Sequence, residues 1–131
     1  MSYRILPHTA DWRAELEARD LDGLYQSAVD WVRETVVGNS PVEAREVRTL
    51  DPSGEDDEER FFRFVRELVF LYDAEGFLPA RVERGAPLVV LGDRFDPMRH
   101  ASERPVKAVT RHGYLFEHTP EGFLAELILD L

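Results

Sequence analysis

The chain contains no cysteine, which excludes disulfides, thiolate metal sites and cysteine nucleophiles and fits a cytoplasmic protein. No apolar run approaches the ~18 residues of a membrane-spanning helix. The opening residues, Met1 to His8, carry no signal-peptide pattern. Positive charge is scarce: 16 Lys and Arg stand against 26 Asp and Glu, for a net charge of −10. Direct, tight nucleic-acid binding draws on clustered cations to neutralise phosphate, so this balance argues against it. Also missing are a phosphate-cradling glycine loop, a His-Glu-x-x-His pair and a Gly-x-Ser-x-Gly elbow. No internal repeat or low-complexity stretch interrupts the chain.

What remains is 131 residues, 44% apolar and 32% charged, which reads as one globular domain over residues 1–131. The acidic excess suits a protein that meets a basic partner or attracts cations. Residues 2–7 and the alternating 13–19, with Ala14, Leu16 and Ala18 inward, read as strands. Asp20 caps a first helix whose stripe runs through Leu24, Tyr25, Ala28, Val32 and Val36 and ends at Gly38. Residues 43–50 suggest an edge strand. Ser53 with Asp56 resembles a capping box for a second helix, with Phe61, Val65, Leu68 and Tyr72 in line, stopped by Gly76 and Pro79. Further strands are expected at 79–84, 87–92, 106–111, 113–117 and 122–129. The order predicts an α+β fold in two layers, two helices packed on one face of a mainly antiparallel sheet.

The chemistry concentrates at the two ends. In the last nine residues Phe123, Ala125, Leu127 and Leu129 share one face of a strand. At its tip, Asp130 and the carboxylate of Leu131 set two negative groups side by side. Adjacent carboxylates repel unless a proton or cation lies between them. The tip reads either as a frayed, solvated terminus, which the local sequence favours, or as a buried cation site. Asp11, in the turn His8-Thr9-Ala10-Asp11, is either an Asx-turn residue or a third oxygen donor to the same ion. Two further stretches stand out, Asp93 to His100 with the turn signature Asp96-Pro97, and Val106 to His112 with Lys107 on a strand face. The plainer readings are a structured loop and a solvated edge residue.

Four stretches in register resemble the archease family: His8-Thr9-Ala10-Asp11, Phe95-Asp96-Pro97 with His100, Lys107-Ala108-Val109-Thr110 with His112-Gly113, and Ile128-Leu129-Asp130-Leu131. The resemblance implies a small metal-binding protein that is not itself an enzyme. It would activate an RtcB-type, GTP-dependent RNA ligase, promoting ligase guanylylation and turnover in tRNA splicing or RNA repair. It also implies the metal ligands Asp11, Asp130 and Leu131. The cation would be divalent, Ca²⁺ first, with Mg²⁺ or Mn²⁺ as alternatives. His8, Asp96, His100, Lys107 and His112 would shape the site or face the partner. A chaperone-like modulator of a tRNA cytosine methyltransferase is the alternative role. A stand-alone metal-dependent phosphoesterase is a further one, disfavoured by the lack of an evident general base. Two positions depart from the family pattern. Trp12 stands where many members carry a smaller aliphatic residue, and Arg111 where Tyr is frequent.

Overall fold

The computed structural model describes residues 1–6 and 12–131. Two strands, β1 (Ser2–Leu6) and β2 (Trp12–Ala18), lead into α1 (Leu21–Val37). Then follow β3 (Glu46–Leu50), α2 (Asp57–Glu75), β4 (Phe77–Glu83), β5 (Leu88–Arg94), β6 (Ala108–Thr119) and β7 (Gly122–Asp130). The strands form two antiparallel sheets, one ordered β1-β2-β7-β6 and the other β3-β5-β4. The fold is α+β, with both helices on the inner face of the four-stranded sheet. One sheet was expected; a second, smaller sheet takes β3, β4 and β5. Alternation within a strand says which face is apolar but not which neighbour completes the ladder, so local pattern could not reveal the division. None of the described helices is long and apolar enough to cross a membrane.

Each helix starts and stops for a local reason. The carboxylate of Asp20 accepts from the Gly23 amide, and Gly38, at φ 58°, ends α1 with its own amide on the Glu34 carbonyl. At α2 the cap is Asp56, which accepts from the Glu59 amide, in place of the expected Ser53. The Ser53 hydroxyl instead accepts from Arg63. Asp57, Glu58 and Glu59 then fill the first turn, where negative charge complements the helix dipole. Gly76, at φ 70°, closes α2. Pro79, expected to help stop this helix, lies inside β4 at a register shift, on a strand that forms a sheet edge.

The core lies where the helices meet the four-stranded sheet. Tyr25 of α1 packs against Phe61 and Phe64 of α2, Phe61 reaches Phe116 of β6, and Phe116 reaches Phe123 of β7. Both helices also touch β4, so the second sheet is fastened to the first through them. The expected strands at 106–111 and 113–117 are one element, β6, with an irregularity between Thr110 and Leu115. Gly113 sits in it at φ 74°, a conformation that a Cβ would strain. Phe64 and Phe70 lie on the same helix, the first fully buried and the second 64% exposed. Phe64→Ala is expected to destabilise the protein by about 3–5 kcal/mol and Phe70→Ala by no more than about 0.5 kcal/mol. Urea denaturation of the two variants measures the difference.

Candidate functional site

β7 runs between β2 and β6 and is paired on both sides. Trp12 is opposite Leu129, and Ala108 is opposite Asp130, so the ladder holds the chain to its penultimate residue. The Lys107 amide adds a hydrogen bond of 2.9 Å to the Asp130 carbonyl. This end of the chain is therefore ordered, but it is not buried: Asp130 is exposed and Leu131 is 38% exposed. No described cation lies within ion-pair distance of the Asp130 carboxylate. Among the described residues no group of three or more His, Cys, Asp or Glu gathers as a metal cluster. Two of the three expected donors, Asp130 and Leu131, are adjacent in sequence at the sheet end; Asp11 and His8 lie outside the described residues.

The segment joining β5 to β6, residues 95–107, runs beside this end as a strap. Its first part is locked to itself. The Asp96 carbonyl accepts from the amides of Arg99 and His100, and the Asp96 carboxylate accepts from the Met98 amide and from Arg99 Nε. His100 is 3% exposed and its Nδ1 accepts from the Asp96 amide at 2.9 Å. That makes Nε2 the protonated nitrogen, and it is buried without a partner. The polar atoms of Asp96 and the Nδ1 of His100 are thus engaged within the turn. At its far end the strap delivers Lys107, whose side chain is exposed and lines a cleft of about 430 Å³ with Tyr72, Asp73 and Phe95. His112 is exposed in the irregular part of β6, with its amide on the Thr110 hydroxyl. Among the described site-shaping residues, Lys107 alone is bonded to the Asp130 end, through its amide.

Sequence reasoning missed the contacts that hold the strap. Asp93, 3% exposed, receives Arg99 Nη1 at 2.7 Å, with Arg99 Nη2 on its other oxygen. The Arg99 hydrogen bond, helped by the Arg94 amide, lowers the Asp93 carboxyl to about 2. Farther along, the Ala101 amide donates to Ser40 Oγ and the Glu103 amide to the Val36 carbonyl, both at the end of α1. Arg104 then lays its guanidinium over the Trp12 ring, 3.8 Å from the centroid. The indole is itself held, since Trp12 Nε1 donates to Thr35 Oγ1 at 2.9 Å. Spacings of six residues in a loop, or of ninety between a strand and a strap, have no period to betray them.

A larger cleft of about 720 Å³ opens at the start of α2, lined by Glu58, Glu59, Arg63, Arg111 and Tyr114 among others. Three of its charges are joined to one another, Glu59 with Arg63 and Arg111. Hydrogen bonds from Arg111 and Arg63 hold the Glu59 carboxyl down to about 2. Arg111 also lies over Phe62, 4.2 Å from the ring centroid, so this departure from the family pattern serves packing between β6 and α2.

A small α+β domain with two helices against antiparallel sheets, and a central last strand ending in adjacent carboxylates, is the class these observations define. Residues 3–131 match the model of the archease protein family, and the chain belongs to that family. The protein archease of Archaeoglobus fulgidus is 30% identical over 100% of both chains. That of Pyrococcus abyssi is 29% identical, over 95% of this chain and 94% of its own. Among solved structures, protein 1598 of Methanobacterium thermoautotrophicum is similar with a TM-score of 0.80 at 25% identity, covering 98% of each chain. A Thermotoga maritima protein described as an archease and possible chaperone has a TM-score of 0.72 at 22% identity, over 98% of this chain and 96% of its own. That likeness shows the fold.

The Asp93–Arg99 pair makes a pH-dependent prediction. A carboxyl lowered from 3.8 to about 2 adds stability that is complete above the ordinary value and lost as pH falls through the folded one. Arg99→Gln is expected to be less stable than the parent at pH 7, with the deficit shrinking between pH 3.8 and about 2. Thermal denaturation of both proteins across this range checks it.

Proposed function

We propose that this chain is a non-catalytic, cation-binding activator of an RtcB-type GTP-dependent RNA ligase, promoting formation of the ligase–guanylate and turnover of the ligase. Membership of the archease family supports this reading. The observation that carries it is the end of β7. A two-sided ladder presents Asp130 beside the Leu131 carboxylate, exposed and with no described cation to neutralise either. These are hard oxygen donors, which suit Ca²⁺, Mg²⁺ or Mn²⁺ and not a soft metal. Asp11 is the proposed third donor. With few protein ligands, water would complete the shell.

When bound, such a cation supplies positive charge that favours phosphate oxygens. The chain's part is to hold that charge at an accessible edge, where a partner's nucleotide can approach it. The ladder bonds on β2 and β6 fix the backbone beneath Asp130, and the strap places Lys107 alongside. The ligase supplies its own nucleophile, so this chain need contribute no general base.

Asp130→Asn removes one negative charge from an exposed side chain and leaves the ladder intact. It is expected to reduce stimulation of ligase guanylylation roughly tenfold or more, as loss of a metal-supporting group does, with an unchanged melting temperature. Guanylylation assays with each protein added to the ligase provide the measurement. Equal stimulation by parent and variant would sink the metal-dependent reading. Protection of a tRNA methyltransferase from aggregation, undiminished by Asp130→Asn, would favour the chaperone-like role instead.

A further inference from the structure

Arg104 is placed unusually for a cation in so acidic a chain. Many arginines here lie against carboxylates, as Arg13 on Glu126, Arg33 on Asp30 and Arg99 on Asp93. Arg104 pairs with no described carboxylate and is stacked on Trp12. The Asp130 and Leu131 carboxylates, which have no described cation partner, are near the strap that carries it. Three residues on, the Lys107 amide is bonded to Asp130, and Trp12 itself pairs with Leu129, the residue before Asp130. Three residues of chain span at most about 11 Å, and an arginine side chain has several rotatable bonds.

We propose that Trp12 is a resting place for the Arg104 guanidinium, keeping it off the Asp130 and Leu131 carboxylates so that a divalent cation can take them. The inference rests on the cation reading of the β7 end. A guanidinium matches a carboxylate with two parallel hydrogen bonds and would compete directly for the same oxygens. Stacking on an indole offers it a different partner. The platform is firm because the Thr35 hydroxyl accepts from the indole N–H and in turn donates to the Trp31 carbonyl. Trp12 and Arg104 are thereby positioning residues that act through the carboxylates.

The test is Ca²⁺ titration calorimetry of the full chain at pH 7 and low salt, with a double-mutant cycle. Trp12→Leu releases Arg104 and is expected to weaken Ca²⁺ binding about five- to tenfold, the effect of one competing ion pair. Adding Arg104→Ala to Trp12→Leu should restore affinity to within about twofold of the parent, which a purely structural role for Trp12 would not do. Trp12→Phe keeps an aromatic face and loses the bond to Thr35, so it should bind nearly as the parent does. Parent-like affinity in Trp12→Leu overturns the resting-place proposal, as does a double variant as weak as the single one, and both leave the cation reading standing. A parent protein that binds no Ca²⁺ overturns both.

Discussion

The pairing of β7 between β2 and β6 is the constraint on which the rest depends. Ala125, Leu127 and Leu129 are completely buried in a strand with β2 on one side and β6 on the other, on a sheet that the helices cover. The β2 ladder joins residues more than a hundred positions apart, so its loop-closure cost must be met by buried apolar area. Both helices pack on the face this arrangement creates, through the aromatic series from Tyr25 to Phe123. The same pairing fixes the end of the chain. A last strand with two neighbours cannot slip by one residue without moving its apolar side chains to the solvent face. Asp130 is therefore as well placed as the core residues that precede it.

The strap converts that placement into a surface. Its thirteen residues, 95–107, have no regular structure, yet nearly every turn of it is fastened: to itself through Asp96 and His100, to β5 through Asp93 and Arg99, to α1 through Ser40 and Val36, to β2 through Trp12 and to β7 through Asp130. Buried backbone polar groups need partners, and a loop packed across two sheets finds them here in side chains and in the main chain of its neighbours. The Asp93 carboxylate is affordable in a nearly inaccessible position because Arg99 meets it with two hydrogen bonds. Long stretches that seem unstructured in sequence are thus part of the frame that holds the proposed cation site.

Charge is distributed with the same logic. Around α2 the acidic run does local work, with Asp56 as cap and Glu59 joined to Arg63 and Arg111. On the outer face of the four-stranded sheet Arg4 meets Glu15 and Arg13 meets Glu126. The Asp130 end lacks such a described partner, and Arg104, stacked on Trp12, lacks one too. With 26 acidic residues against 16 basic ones, carboxylates without a described partner occur at several places on the surface, and the Asp130 end is one of them.

Periodicity and punctuation made much of the fold legible. The stripe from Leu24 to Val36, the Asp20 cap, Gly38 and Gly76 as stops, and the alternation of Ala14, Leu16 and Ala18 all report on bonds made within a few residues, and such bonds leave a local signature. The carboxylates of Asp130 and Leu131 could be suspected for the same reason, being neighbours in the chain. The split into two sheets, the choice of Asp56 over Ser53 as cap, the continuity of β6 through His112 and Gly113, and the exposure of Asp130 could not. Nor could the contacts of Arg99 with Asp93 and of Arg104 with Trp12. Local sequence determined which segments are helix or strand and which of their faces avoid water. Tertiary structure alone decided which strand lies beside which, and which charges meet, because those depend on distances through space that no spacing along the chain encodes.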